Sequence, residues 1–162
     1  MLRRVSQRSP HGTEAGVALV EFALVLPLLM LLLLGMLDFG KALNYWIDET
    51  HLAHTGARWA VVDRHPGTGS LQQYVQDQAD TAELRSRASV CVDFPRNPTT
   101  GTSGKVGDPV KVTVGVPYQW LAFVSDTLSI DTLITIRATS TMRLEARPTT
   151  YSEGCSSPPA SP

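Results

Sequence analysis

Apolar residues are concentrated in one continuous run near the start of the chain, at positions 17–37. The run is interrupted by one acid, Glu21, and by one proline, Pro27. With a rise of about 1.5 Å per residue, a helix over this run would be about 31 Å long, which is the thickness of the hydrocarbon core of a bilayer. The pattern therefore predicts a helix that crosses a membrane once.

Two other structures contain apolar runs, namely a cleavable signal peptide and a buried core helix. A signal peptide has an apolar core of about 7–15 residues that ends in small residues. Here the run is longer, contains a carboxylate and ends in Leu-Asp-Phe at positions 37–39. A core helix of a small soluble domain is rarely so long and so rich in leucine. Both comparisons favour a membrane span.

Arginine is enriched before the apolar run, at Arg3, Arg4 and Arg8, with Glu14 as the one acid in that stretch. An excess of positive charge beside a span marks its cytoplasmic side. We therefore expect a single-pass protein of the plasma membrane, with its N-terminus in the cytoplasm and its C-terminal domain outside. The expected segments are a cytoplasmic leader (1–16), a transmembrane helix (17–39), an extracytoplasmic α+β domain (40–146) and a disordered tail (147–162).

Helical periodicity continues beyond the apolar run and is followed by a second helical pattern. Residues 40–63 predict a continuation of the first helix, with Tyr45 and Trp46 placed as interfacial aromatics would be. The segment at 65–70, which contains one proline and two glycines, is expected to end this helix. A second helix is expected over 70–89, with Ser70 as its N-cap.

Alternation of apolar and polar residues then predicts strands at 90–94, 110–116 and 133–145, with Pro117 ending the middle strand. A short apolar segment at 120–124 suggests either one helical turn or a segment that lies against the membrane or a partner. The fold class is therefore α+β: a long N-terminal transmembrane helix that continues into a small domain with a short antiparallel sheet.

Glu21 is the most informative residue of the span, since a charge at mid-membrane costs roughly 2.5–3.5 kcal/mol on insertion scales. In one interpretation it lies at the headgroup level and interacts favourably with the helix N-terminus. In the other, the chain is cut after Gly16, and Glu21 of one subunit neutralises the new amine on Val17 of its neighbour. The sequence leaves both interpretations open.

Pro27 removes the helical hydrogen bond to the carbonyl of Ala23 and is expected to kink the span. Membrane helices tolerate such a proline where neighbouring groups satisfy the backbone. The kink is either used in packing or merely tolerated.

The chain has two cysteines, Cys91 and Cys155. Outside the membrane, two cysteines favour a disulfide, which would contribute about 4 kcal/mol in the chain-entropy model. The alternative is a buried, apolar Cys91 and a free thiol at Cys155.

Little in the sequence indicates catalysis or a cofactor. The net charge of −1 does not suggest a nucleic-acid partner. No nucleophile elbow or metal signature is present. His51 and His54 lack a third and fourth ligand, so a solvated helical face is expected there. The sequence predicts no enzyme, no catalytic residue, no cofactor and no metal site.

Several motifs resemble a known family. The run GVALVEFALVLPLL from Gly16 resembles the TadE-like family, pseudopilin-like proteins of tight-adherence (Flp) pilus systems, and its first residues are similar to the processing site of type IV prepilins. Two further matches are LGMLDFGK, which contains Asp38, Phe39 and Gly40, and TGAR, which contains Gly56, Ala57 and Arg58. Thr55 stands where the family usually has an acid.

The resemblance implies a membrane-anchored pseudopilin-like subunit with a pilin-like domain, taking part in the assembly of a pilus or a related secretion machine at the bacterial cell surface. Its implied partners are the lipid bilayer, other pilin-like or pilus-assembly membrane proteins and a prepilin peptidase that cuts between Gly16 and Val17. Glu21 and Phe22 belong to this processing and inter-subunit motif. The alternative function is an extracytoplasmic ligand-binding or enzymatic domain tethered by an uncleaved signal anchor.

Overall fold

A computed structural model describes residues 11–122 and 132–156, with side chains from residue 16 onward. It contains three helices and four strands in these ranges: α1 (His11–Val61), α2 (Leu71–Asp77), α3 (Ala82–Arg87), β1 (Ser89–Asp93), β2 (Pro109–Gln119), β3 (Leu133–Arg143) and β4 (Gly154–Cys155). The predicted α+β class, with a long N-terminal helix and a small antiparallel sheet, is confirmed. Most of the predicted leader, and part of the apolar segment at 120–124, lie outside the described residues.

Internal contacts divide the chain into two units, Met1–Phe39 and Gly40–Pro162. In the first unit, the most apolar 18-residue window of α1 has a mean hydropathy of 2.8, and none of it is buried. A helix of a soluble core would bury such a window. By length and composition this helix is therefore able to cross a membrane, and it is continuous through Pro27.

In the second unit, α1 packs through a row of small residues. Ala53, Ala57 and Ala60 are buried, and Gly56 lies among them. A Cβ atom added to Gly56 would be 3.0 Å from Val75 of α2 and 3.1 Å from Val112 of β2. Small side chains let the helix approach closely, so α1, α2 and the sheet meet at this point.

The sheet has the order β3-β2-β1-β4, with every neighbouring pair antiparallel. Four valines of β2 alternate along the strand and are completely buried: Val110, Val112, Val114 and Val116. Their alternation is the pattern that predicted a half-buried strand. The helices cover this face, and the opposite face carries polar residues such as Lys111 and Thr113.

The prediction that Pro117 ends β2 was wrong, because the strand continues to Gln119 and pairs with β3 as far as Leu133. β1 pairs with β2 only from Lys111 to Gly115. At Pro117 the strand therefore has β3 alone as its neighbour. A proline is tolerated in a strand where its missing N–H is not needed by a second ladder.

The single helix expected over 70–89 is two short helices. Ser70 is the N-cap of α2, as predicted, and its Oγ accepts from the backbone N–H of Gln73. Thr81 forms a second cap, whose hydroxyl accepts from the N–H of Leu84 at 3.1 Å. Between the caps, the N–H of Asp80 donates to the carboxylate of Asp48 at 3.2 Å. These side-chain acceptors replace the helical bonds and separate the two helices.

Composition predicts a disordered tail from residue 147, but residues up to 156 lie on the domain. Tyr151 is buried, and its hydroxyl donates to the carbonyl of Ala60 at 2.7 Å. The carboxylate of Asp63 accepts hydrogen bonds from the backbone and hydroxyl groups of Thr149 and Thr150. These long-range contacts hold a segment whose local composition favours no structure.

Candidate functional site

The predicted processing motif lies on an exposed stretch of α1. The side chains of Val17, Glu21 and Phe22 are all exposed, and so is Gly16. Glu21 makes no hydrogen bond or ion pair with any residue that the structure describes. One helical turn separates Val17 from Glu21, so both would face a neighbouring molecule from the same side of the helix.

The second motif, LGMLDFGK, covers residues 34–41 and so includes the last residues of the first unit in the sequence. Phe39 and Gly40 are exposed, and Asp38 is half-buried. A Cβ atom added to Gly40 would have no neighbour within 4 Å. No close packing therefore requires a glycine at position 40.

The third motif separates into a packing part and a free charge. Gly56 and Ala57 are buried in the contact of α1 with α2 and β2. Arg58 is exposed, and its guanidinium has no hydrogen bond or ion pair to any of the described residues. The motif thus supplies a close contact of α1 with α2 and β2, and an exposed cation that no described residue pairs with.

Arg58 stands beside an open groove of about 500 Å³ between the end of α1 and β3. The groove has an apolar floor and two charged residues at its rim: Thr55, Arg58, Trp59, Val61, Val62, Met142 and Glu145 line it. No sequence pattern indicates this groove, because its residues come from segments that are distant in the chain.

A buried acid lies on the core side of α1. Glu49 is only 1% exposed, and neither of its carboxyl oxygens has a hydrogen-bond partner within the described part of the chain. Burial, with a smaller contribution from the adjacent Asp48 carboxylate, raises the pKa of Glu49 to about 8. Burial also raises the pKa of Asp48. Glu49 is therefore largely protonated at neutral pH.

The solvated helical face expected around these residues is only partly present. His51 and His54 are exposed, and Nδ1 of His54 lies 3.1 Å from the hydroxyl of Ser140. Asp48 and Glu49 instead face inward. Glu49 stands seven residues before Gly56 and four after the buried Tyr45, and this spacing is the signal that places it on the buried face. Across the described residues, no group of three or more potential metal ligands comes together.

Cys91 of β1 and Cys155 of β4 are paired across the sheet and form a disulfide. The backbone of Ser156 continues this pairing, because its N–H donates to the carbonyl of Val90 at 2.8 Å. The bond joins β1 to the segment that also carries Tyr151. It therefore holds the C-terminal segment against the edge of the sheet, where Cys91 is partly buried and Cys155 is exposed.

The profile of the TadE-like protein family matches residues 16–58. This segment is TadE-like. It contains all three motifs, from Gly16 to Arg58, and ends at the groove. No curated protein and no solved structure matches the chain.

Proteins of the TadE-like family are components of pilus assembly and are not known as enzymes. Together, the TadE-like segment and the exposed apolar helix fit a membrane-anchored protein associated with the Tad pilus. A single candidate span near the N-terminus of the described chain fits a single-pass membrane protein.

Proposed function

We propose that this chain is a membrane-anchored, pseudopilin-like subunit that takes part in assembling a tight-adherence (Flp/type IV-like) pilus or a related secretion machine. The observation that carries the proposal is the TadE-like match over 16–58, on a helix whose apolar window is wholly unburied. In this role the helix inserts in the bilayer and associates with other pilin-like or pilus-assembly membrane proteins.

In the proposed orientation, the N-terminus lies in the cytoplasm and the domain from Gly40 onward lies on the opposite, extracytoplasmic side of the membrane. Two observations support it. Arginines cluster before the span, which is the usual mark of the cytoplasmic side. The disulfide between Cys91 and Cys155 suits an oxidising compartment.

In the proposed mechanism, a prepilin peptidase cuts between Gly16 and Val17, and the new amine pairs with Glu21 of a neighbouring subunit. Either charge alone would be costly in a low-dielectric surrounding, whereas the pair neutralises both. Exposure of Val17 and Glu21 supports this, since neither is used within the described chain. The pairing would set the register between adjacent helices.

The first test is the N-terminal residue of the protein in its native membrane, measured by intact mass. We expect the protein to begin at Val17 where an active prepilin peptidase is present. A protein that begins at Met1 under these conditions would contradict processing, and it would favour the alternative of a domain on an uncleaved anchor.

The second test is Glu21→Ala, with Glu14→Ala as a control that removes an acid from the leader. We expect Glu21→Ala to remain inserted but to lose most assembled pili, whereas Glu14→Ala assembles normally. Normal assembly by an inserted Glu21→Ala would show that the helix is only a tether.

A further inference from the structure

β3 is a long strand at one edge of the sheet. It has eleven residues, about 36 Å at the usual rise of a strand. Its register with β2 runs without a bulge from Arg143 to Leu133, and it contains no proline. No other described strand pairs with its outer side. Native sheets usually protect such an edge with bulges, prolines, short strands or charged side chains. Of these devices β3 has only the charges of Arg137 and Arg143, so its edge can accept a strand of opposite charge.

The apolar groove lies beside this edge. Met142 of β3 and Glu145 just after it form one wall, and the other wall comes from the last turns of α1. No residue of β2 lines the groove. β2 is instead covered by α1, as the contact of Gly56 with Val112 shows. A strand added to β3 would therefore place its α1-facing side chains at this groove.

The surroundings of the edge are basic. Arg137 and Arg143 are exposed on β3, on the face of the sheet opposite α1, and neither has a hydrogen bond or ion pair to a described residue. Arg58 adds a third free cation at the rim of the groove, while Glu145 is the one acid lining it. By contrast, Lys111 in the neighbouring strand is paired with Asp93 at 3.5 Å.

We propose that the outer edge of β3 binds an extended, acidic segment of a partner protein as an added strand. Backbone hydrogen bonds to β3 would supply affinity, and alternate side chains would supply specificity. Apolar side chains of the segment would face α1 and the groove, and its acidic side chains would face Arg137 and Arg143. The proposal does not depend on the role of Glu21 or on cleavage after Gly16.

Charge argues against a second copy of β3 as the occupant. Both charged residues of β3 are arginines, Arg137 and Arg143. Parallel pairing in register would place each beside its own copy, and antiparallel pairing centred on Ser140 would place each opposite the other. Like charges across a strand pair are destabilising. An acidic strand has no such conflict.

The test uses the full chain in detergent and a fluorescent eight-residue peptide of alternating Glu and Val, with a Lys/Val peptide as the control probe. We expect the anisotropy of the Glu/Val peptide to show saturable binding, about tenfold or more tighter than that of the Lys/Val peptide. Absence of Glu/Val binding at millimolar concentration, or equal binding of both peptides, would overturn the proposal.

A matched pair of variants locates the site. Arg137→Glu/Arg143→Glu should weaken binding of the Glu/Val peptide by about tenfold or more. Arg96→Glu/Lys105→Glu makes the same charge change in the loop between β1 and β2 and should leave binding nearly unchanged. Equal losses in the two variants would show nonspecific attraction and would contradict a site on β3.

Backbone methylation tests the strand itself. Amides of alternate residues point to opposite edges of an extended peptide. We therefore expect N-methylation of either all Glu or all Val amides to abolish binding, while the other set has little effect. If both methylated peptides bind like the parent, or if neither binds, the peptide is not held as an added strand.

Discussion

Gly56 of α1 lies directly over Val112 of β2, so closely that an added Cβ would stand 3.1 Å from Cγ1 of the valine. Val75 of α2 approaches the same point to 3.0 Å. Both valines are completely buried. They are also β-branched, and their side chains can move little. The first helix, the second helix and the sheet are thus joined at a position where only a glycine fits without displacement.

Gly56→Ala is therefore expected to destabilise the domain. Overpacking of a core costs about 1–3 kcal/mol. The higher helix propensity of alanine offsets about 0.5–1 kcal/mol of that cost. We expect a lower Tm when thermal unfolding of the full chain in detergent is monitored by near-UV circular dichroism.

Gly40→Ala is the matched control, since a Cβ there meets nothing within 4 Å. The same propensity gain of about 0.5–1 kcal/mol should raise its Tm slightly. A Gly56→Ala protein as stable as Gly40→Ala would show that the valines yield to the added methyl group.

The buried Glu49 predicts an unusual dependence of stability on pH. Burial raises its pKa from the ordinary value of 4.5 to about 8 in the folded chain, so between these values the folded state holds a proton that the unfolded state releases. This contribution is fully present below pH 4.5 and is lost as the pH rises toward 8 and beyond. The total loss is on the order of a few kcal/mol. We expect Tm to fall between pH 5 and pH 8.5.

Glu49→Gln should remove much of this fall, because glutamine is neutral at every pH in the range. Glu145→Gln, at an exposed position, serves as the control and should retain the dependence of the unaltered protein. Parallel Tm curves for all three proteins would argue against a protonated Glu49 in the core.

The hydrogen bonds that Asp63 accepts from Thr149 and Thr150 are expected to stabilise the C-terminal segment of the domain in a pH-dependent way. Burial tends to raise its pKa, but the hydrogen bonds from Thr149 and Thr150 outweigh burial and lower it. The stability that this carboxylate contributes is therefore present above its unfolded pKa and is lost as the pH falls through the folded value. Asp63→Ala should speed amide hydrogen exchange at 149–152 by an order of magnitude or more.

Asp77→Ala removes an exposed acid from α2 and is the control for that measurement. It should leave exchange at 149–152 unchanged. Unaltered exchange in Asp63→Ala would mean that Tyr151 and the disulfide hold this segment without help.

The disulfide predicts sensitivity to reduction. Cys91 and Cys155 are 64 residues apart, so their bond removes much of the entropy of the unfolded chain. In the chain-entropy model this stabilises the folded domain by about 4 kcal/mol. The Cys91→Ser/Cys155→Ser protein should unfold at a clearly lower temperature, and reductant should have no further effect on it. A Tm equal to that of the oxidised protein would contradict a structural role for the bond.

The sequence predicted the features that short-range patterns encode. The apolar run predicted the long N-terminal helix, the alternating valines of β2 predicted the central strand, and Ser70 was recognised as a cap. Features that depend on distant partners were missed. Pro117 fits inside a strand because β1 stops pairing two residues earlier, and no local pattern shows where a neighbouring strand ends.

The candidate sites divide in the same way. Arg58 was found through its motif, but the groove beside it needs Met142 and Glu145, which the fold brings from the other end of the domain. Glu49 carries the charge of a surface residue, and only its spacing from Gly56 and Tyr45 indicates that it is buried. The cysteine pairing was one of two interpretations, since composition alone cannot show that two thiols meet.

The contacts of Tyr151 with Ala60 and of Thr150 with Asp63 also set the order of events during synthesis. They join residues 91 and 87 positions apart, across almost the whole domain. The ribosome makes α1 well before it makes the residues that close onto the end of that helix. The domain therefore cannot complete its folding until residues 149–151 have been synthesised, and α1 waits for its last partners while the sheet is being made.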